Sequence, residues 1–391
     1  MQRIQSFFFF YMKPYHPQPP FRLCLNALAL LLFLILVTGC RPSVRSMAPE
    51  GDTIPMKFAR NLTMVKHGDY TEVILANPWR QGSILRRYAL VDSSHGKTTI
   101  PEGLTRVVVP LRRCVVFTAA HMELFRLLGM TERVKGVADA GYMHQPWLPQ
   151  AISKGLITDC GNSMSPNIEK VMAIKSDALW LSPYGDSNYG RLEQLGVPLI
   201  ELADYMETSA LGRAEWMKFY GLLLGCPDKA DRIFEYVCRQ YLMLRERVAR
   251  TKSAPKVITE RKTGAVWYMP GGQSTMGQLL RDAHADYAFK NDKHSGSLSL
   301  GVETVVDKAA NADVWLMSYE NVISLSSLGS EYSGYQLIRA FNNRRVYGCP
   351  VDRSRYFDEV PFRPDLLLRD LTIILHPELR LGAPHYYHLI Q

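Results

Sequence analysis

The chain is 391 residues long, with 46 Lys and Arg against 37 Asp and Glu and a net charge of +9 at pH 7. Its basic residues are scattered and form no block, which excludes a nucleic-acid-binding tail. Its length exceeds one ordinary hydrophobic core and points to two domains.

The first element is an export signal. Lys13 and Arg22 precede the apolar run of "ALALLLFLILVTGC", Ala27 to Cys40, which is too short to span a bilayer comfortably and fits a signal-peptide core. It ends in Val37-Thr38-Gly39-Cys40, which resembles a bacterial lipobox whose cysteine becomes the lipidated first residue. Residues 1–39 are therefore expected to be removed and Cys40 to carry the membrane anchor. The alternative is an ordinary signal peptide with an accidental cysteine, and Met12 is an alternative start. Removal takes away Arg3, Lys13 and Arg22 and no acid, so +9 falls to +6. Residues 40–56 are the lipidated cysteine and a polar, proline-bearing tether. Of seven cysteines, Cys114, Cys160, Cys226, Cys238 and Cys349 remain in the body. They form no Cys-x-x-Cys pair, so neither zinc nor thioredoxin chemistry is indicated, and no pairing is assigned.

A first α/β lobe is predicted over residues 57–226. "TEVILANPW", "ILRRYALV", "TRVVVP" and "CVVFTAA" read as strands. "HMELFRLLGM" puts Leu124, Leu127 and Leu128 on one helical face, and Gly129 stops it. "SPNIEKVMAIKSDALWLSP" reads as a helix capped by Ser165 with Pro166 in its first turn, then an apolar strand. "YGRLEQLGVPLIEL" is helix, glycine stop and strand. Strands alternating with helices predict parallel sheets.

Residues 227–251 change character. "PDKADRIFEYVCRQYLMLRERVART" has no glycine or internal proline, and Ile233, Phe234, Val237, Tyr241 and Leu244 share one face. Twenty-five helical residues would reach about 37 Å, enough to run from one lobe to another. Over residues 252–391 the alternation resumes with "KVITE", "STMGQLLRDAHA", "GVETVVDKAANADVWLMS", "RVYGCPV" and "PDLLLRDLTIILHPEL". The expected class is α/β, with two doubly wound lobes joined by a single long helix and a ligand cleft between them. One large sheet with an inserted helix is the alternative.

Two segments in different halves match. "NIEKVMAIKSDALWL" and "GVETVVDKAANADVWLM" each carry a glutamate near a helix start, an Ala before an Asp, and a strand containing Trp. Glu169 and Glu303 thus hold equivalent places. A glutamate in a first turn ordinarily complements the helix dipole; one per lobe also suits docking onto two basic pockets of a symmetric partner.

The ordered blocks "FTAAHMELFRLLGMTERVKGV", "SPNIEKVMAIKSDALWL", "LEQLGVPLI", "WYMPGGQSTMGQLLRDAHADY" and "FRPDLLLRDLTIILHPEL", with lipobox and long helix, resemble the substrate-binding proteins of ABC importers for ferric siderophores, haem and cobalamin. The resemblance covers roughly residues 105–385. Lys175-Ser176-Asp177 departs from the family's Lys-Pro-Asp, and residues 57–104 add strands outside its common core. It implies that Glu169 and Glu303 pair with arginines of the two permease subunits, whose ATPase subunits drive uptake. It also implies an extracytoplasmic, lipid-anchored location, and no resident cofactor: iron enters only within the carried ligand.

The ligand is expected against loops at the carboxyl ends of strands: Asp139–Trp147, Pro183–Gly190, Arg261–Gly272 and Asp352–Glu359. Tyr142, Trp147, Tyr184, Trp267, Tyr268 and Tyr356 offer flat faces to a planar or macrocyclic ligand. Arg261, Arg353 and Arg355 suit an anionic chelate, which favours a ferric siderophore. Any single one of these aromatics is more often packing than contact. His144 and His294 are candidate haem ligands, though a solvated loop histidine is commoner.

Two other functions compete. Gly185-Asp186-Ser187-Asn188 resembles the nucleophile turn of Gly-Asp-Ser-Leu esterases. That chemistry needs an Asp-x-x-His, and Asp282-Ala283-His284 and Asp292-Lys293-His294 are each one residue short. No Gly-x-Ser-x-Gly or phosphate loop appears, so no enzyme is expected. The third class is a surface lipoprotein without a small ligand.

Overall fold

The computed structural model describes residues 51–391 except Asp186, Ser187 and Val322; the signal segment, Cys40 and the tether up to residue 50 lie outside the described residues. Five strands come first: β1 (Asp52–Ile54), β2 (Leu62–Lys66), β3 (Tyr70–Ala76), β4 (Ile84–Asp92) and β5 (Thr105–Val109). They form one sheet in chain order, antiparallel as far as β4 and parallel between β4 and β5. Its inward residues, among them Met64, Val73, Leu75, Tyr88 and Val107, join the first core. The sequence shows β3, β4 and β5 as strands; β1 instead falls within residues 40–56, read from the sequence as tether, and β2 is not among the predicted strands.

The first lobe follows with β6 (Cys114–Val116), α1 (Ala119–Leu128), β7 (Val134–Val137), α2 (Leu148–Ser153), β8 (Thr158–Asp159), a small hairpin of β9 (Gly161–Asn162) and β10 (Ser165–Pro166), α3 (Ile168–Ile174), β11 (Ala178–Leu181) and β12 (Leu199–Glu201). Its parallel sheet runs β12-β11-β6-β7-β8. Period-two alternation splits each central strand between two cores. Cys114, Val116, Ala178 and Trp180 face the first, and Val115, Phe117, Leu179 and Leu181 face a smaller one beneath α3. Thr118 caps α1 and Gly129, at φ 66°, closes it in the left-handed conformation that glycine adopts without strain. The predicted cap of α3 moves by two residues. Asn167 accepts from the Lys170 N–H at 3.0 Å, because Ser165 and Pro166 are taken up by the hairpin with Asn162 and Gly161.

The added sheet is fastened to this lobe by polar contacts as well as burial. The Tyr88 hydroxyl donates to the Leu199 carbonyl and accepts from the Glu201 N–H, both at 2.9 Å. The segment between β1 and β2 is held by two buried carboxylates on and beside α4 (Ala210–Glu215). Glu215 accepts the N–H groups of Lys57, Phe58 and Ala59, and Glu207 accepts those of Arg60 and Asn61. After α5 (Met217–Leu223) the long helix α6 spans Pro227–Val248. Its 22 residues make it about 33 Å long, three residues shorter than predicted. Ala230 and Phe234 lie in the first core and Tyr241 in the core of the second half, so both ends are anchored.

The second half comprises β13 (Lys256–Thr259), β14 (Lys262–Thr263), β15 (Val266–Pro270), α7 (Thr275–Asp282), β16 (Asp286–Tyr287), β17 (Ser297–Gly301), α8 (Val302–Ala309), β18 (Val314–Tyr319), α9 (Leu325–Glu331), α10 (Arg339–Asn342), β19 (Val346–Pro350), α11 (Tyr356–Glu359), α12 (Pro364–Leu375) and β20 (His388–Leu389). The main sheet runs β16-β13-β18-β19-β20, parallel except for β20. A three-stranded antiparallel sheet, β14-β15-β17, adjoins it. The glycine-rich turn before α7 has a steric cause: a Cβ on Gly271 would meet the His294 carbonyl at 2.3 Å, and one on Gly277 the Gly271 carbonyl at 2.3 Å.

Candidate functional site

The four predicted loops all follow the carboxyl ends of parallel strands: β7, β11, β13 and β19. At three such ends in the second half the structure opens a cavity of ≈ 540 Å³. It lies after β13, β18 and β19, and is lined by Glu260, Arg261, Tyr268, Ser318, Tyr319 and Glu320 among others. That volume is in the range of small-molecule sites.

Local structure explains who lines it. "RKTGAVWYMPGG", predicted as loop, is instead a hairpin of β14 and β15, turning near Gly264 at φ 61°. Alternation along β15 therefore sends Trp267 inward and Tyr268 outward. Trp267 is 0% exposed, packs against Trp315 and Tyr335, and donates its indole N–H to the Thr259 carbonyl at 2.9 Å. It is a core residue, which corrects its assignment as a ligand face. Tyr268, 47% exposed, lines the cavity.

Glu260, not singled out by the sequence, turns the chain after β13 at φ 56°. Its Oε2 accepts from the Ser318 N–H at 3.2 Å and the Ser318 hydroxyl at 2.8 Å. Burial pushes its carboxyl up, against the lowering effect of Ser318 and Arg261. A single glutamate after "KVIT" carries no pattern; its place depends on Ser318, 58 residues away.

The arginines expected to meet an anionic ligand are engaged within the protein. Arg261 pairs with Glu331. Arg353 donates to the Asn321 carbonyl at 2.8 Å. Arg355, on the turn into α11, pairs with Glu123 of α1 and, at 3.0 Å, with Glu359. Glu123 is fully buried and also accepts from Arg126 and, at 3.3 Å, from Gln145. Arg355 thus joins the two halves. His144 lies beside this contact, its Nδ1 3.8 Å from the buried Asp358 carboxylate. Burial pushes that carboxyl up to about 6, against the lowering influence of His144 and Arg355. The loops 139–147 and 352–359 are therefore brought together.

The remaining predicted aromatics are dispersed. Tyr142 and Tyr184 are 75% and 84% exposed. Trp147 is half-buried against the first core at the start of α2, and Tyr356 packs half-buried against Tyr386. Ser187 lies outside the described residues. His376 caps the end of α12 and sits buried, its Nε2 3.0 Å from the Ala283 carbonyl.

Glu169 and Glu303 are each the second residue of a helix, α3 and α8, and both are exposed. Each helix leads into a strand, β11 or β18, that pairs with the first strand of its parallel sheet, β6 or β13. Among the described residues no helix is long and apolar enough to cross a membrane.

The pattern of the periplasmic binding proteins matches residues 115–352, more than half of the chain. The chain belongs to the periplasmic binding protein family. This is a family of solute-binding proteins with two lobes, in agreement with the fold. An uncharacterized lipoprotein of Methanocaldococcus jannaschii is 25% identical over 360 residues, covering 85% of this chain and 84% of the relative. Two crystal structures share the fold. One, a possible iron-binding (periplasmic solute-binding) protein from Staphylococcus epidermidis, has a TM-score of 0.55 at 19% identity, over 68% of this chain and 99% of that one. The other, the periplasmic vitamin B12 binding protein of Vibrio cholerae, has a TM-score of 0.51 at 14% identity, over 69% and 99%.

Proposed function

We propose that this periplasmic binding protein captures an iron complex, a ferric siderophore foremost with haem or cobalamin as alternatives, and delivers it to the permease dimer of an ABC importer. The observation that carries this reading is the cavity of ≈ 540 Å³ at the carboxyl ends of β13, β18 and β19, rimmed by tyrosines. In open α/β sheets that is where ligands bind. The possible iron-binding protein and the vitamin B12 binding protein of the same fold support the class of cargo. Cys40 supplies the lipid anchor on the outer side of a membrane, α6 limits the angle through which the lobes close, and Glu169 and Glu303 dock on the permease. ATP is hydrolysed in the partner.

A titration of the purified soluble protein with ferric siderophores, haemin and cyanocobalamin, followed by tryptophan quenching, tests the cargo class. One of them is expected to bind with a Kd of about 1 µM or tighter, on the order of −8 kcal/mol. Binding of none at that strength overturns the proposal and favours a lipoprotein without a small ligand.

A further inference from the structure

The cavity is acidic in its free groups. Glu260 and Glu320 line it, and its arginine, Arg261, is already paired with Glu331. Among the described residues neither lining glutamate has a cationic partner within ion-pair distance. Glu260 is held in place through one oxygen by Ser318, while its Oε1 has no protein hydrogen-bond partner among the described residues. Tyr268 and Tyr319 add phenol faces, surfaces that attract a cation.

A guest presenting carboxylates or catecholate oxygens here would meet the half-buried carboxylate of Glu260 and the exposed one of Glu320, with Arg261, which acts on Glu260, already paired to Glu331. A guest presenting ammonium or amide N–H groups would find acceptors in place, with the stronger hydrogen bonds that charged acceptors make. Resting on the reading of the cleft as the cargo site, we propose that its second-lobe wall, through Glu260 and Glu320, selects a cargo face that donates hydrogen bonds, ammonium or amide N–H, over an anionic one. The raised carboxyl of Glu260 agrees with this, since its burial is offset only by Ser318 and Arg261 and leaves room for a guest cation to compensate it.

Four probes separate the chemistries: ferrioxamine B, an iron complex with a free ammonium; cyanocobalamin, which bears amide arms; and the anionic ferric enterobactin and haemin. At least one of the first two is expected to bind tenfold or more tighter than either anion, and which one does so distinguishes an ammonium from amides as the donor. Glu260→Gln and Glu320→Gln, near-isosteric changes whose folding is checked by thermal melting, should each weaken the donor-bearing probe about five- to tenfold. The double variant should weaken it further, while any anion binding stays level or tightens. Preferential binding of an anion, or an unchanged Kd for the donor-bearing probe in the double variant, overturns the inference and leaves the cleft as the cargo site. Binding of none of the four by the wild type overturns the cleft reading itself.

Discussion

Asp204 is fully buried and accepts from the Tyr220 hydroxyl at 2.9 Å and from Arg213 Nε at 2.9 Å, with His121 Nε2 at 3.0 Å. Burial alone would push its carboxyl up, but Arg213 and His121 outweigh that and hold it well below the usual range. A carboxyl depressed in the folded state contributes stability that is complete above its unfolded pKa, about 4, and is lost as pH falls below it. Asp204→Asn should therefore cost about 3–5 kcal/mol at pH 7, by leaving Arg213 without its buried partner. The variant should also show a flatter loss of stability on acidification. Urea denaturation at pH 7 and pH 3.5 measures both; a loss below about 1 kcal/mol at pH 7 would show that the network carries little. Residues of this kind were not legible in the sequence, because Asp204 acquires its role only where the segment after β12 meets α1, 83 residues away. Trp267 shows the opposite case. Its burial follows from the alternation of "VWYM" beside a turn glycine, a strand signal present in the chain but outweighed by the surrounding loop residues.

At the scale of elements, the contact between α1 and α11 decides how freely the halves move. Arg355 crosses from one half to Glu123 of the other, while α6 is embedded in both cores. A double-mutant cycle of Glu123→Gln and Arg355→Met should give a coupling energy of about 1–3 kcal/mol, since the pair is charged and partly buried. Small-angle scattering should show the Arg355→Met variant with a larger radius of gyration. A coupling near zero with unchanged dimensions would mean that α6 alone sets the geometry. Most long elements were legible here: the leucine face of α1, its glycine stop at Gly129 and the apolar stripe of α6 are local signals. Short elements were not. β14 has two residues and β16 two, too few for a period to emerge, and the cap of α3 moved because a hairpin claimed Ser165.

For the whole molecule, the repeat of glutamate, helix and strand in both halves was readable from one sequence, and the structure puts Glu169 and Glu303 at matching, exposed positions. If they dock on the importer, reversing both charges to lysine should reduce uptake in cells to background while leaving the Kd for cargo within about twofold. Retained uptake would remove the docking role. Exposure at a helix's first turn also means that neither change should cost more than about 1 kcal/mol of stability. Two-lobe organisation was legible because alternating strands and helices repeat on either side of an unbroken helix. Of the cavity wall, Arg261 and Tyr268 were named from the sequence, whereas Glu260, Ser318 and Tyr319 were not, because they come together only once β13 and β18 pair.

The grip of Glu207 and Glu215 on residues 57–61 has a mechanical consequence. Tension drawn along the chain from its amino terminus first loads β1, an edge strand with three paired residues opposite β2, which opens like a zipper one pair at a time. It then reaches five consecutive N–H groups bound to two buried carboxylates. These resist together, and charged acceptors make each bond stronger than a neutral one. Pulling on the amino-terminal segment should thus yield first at a small, reversible extension and then stall, the load passing through Glu207 and Glu215 into the first lobe.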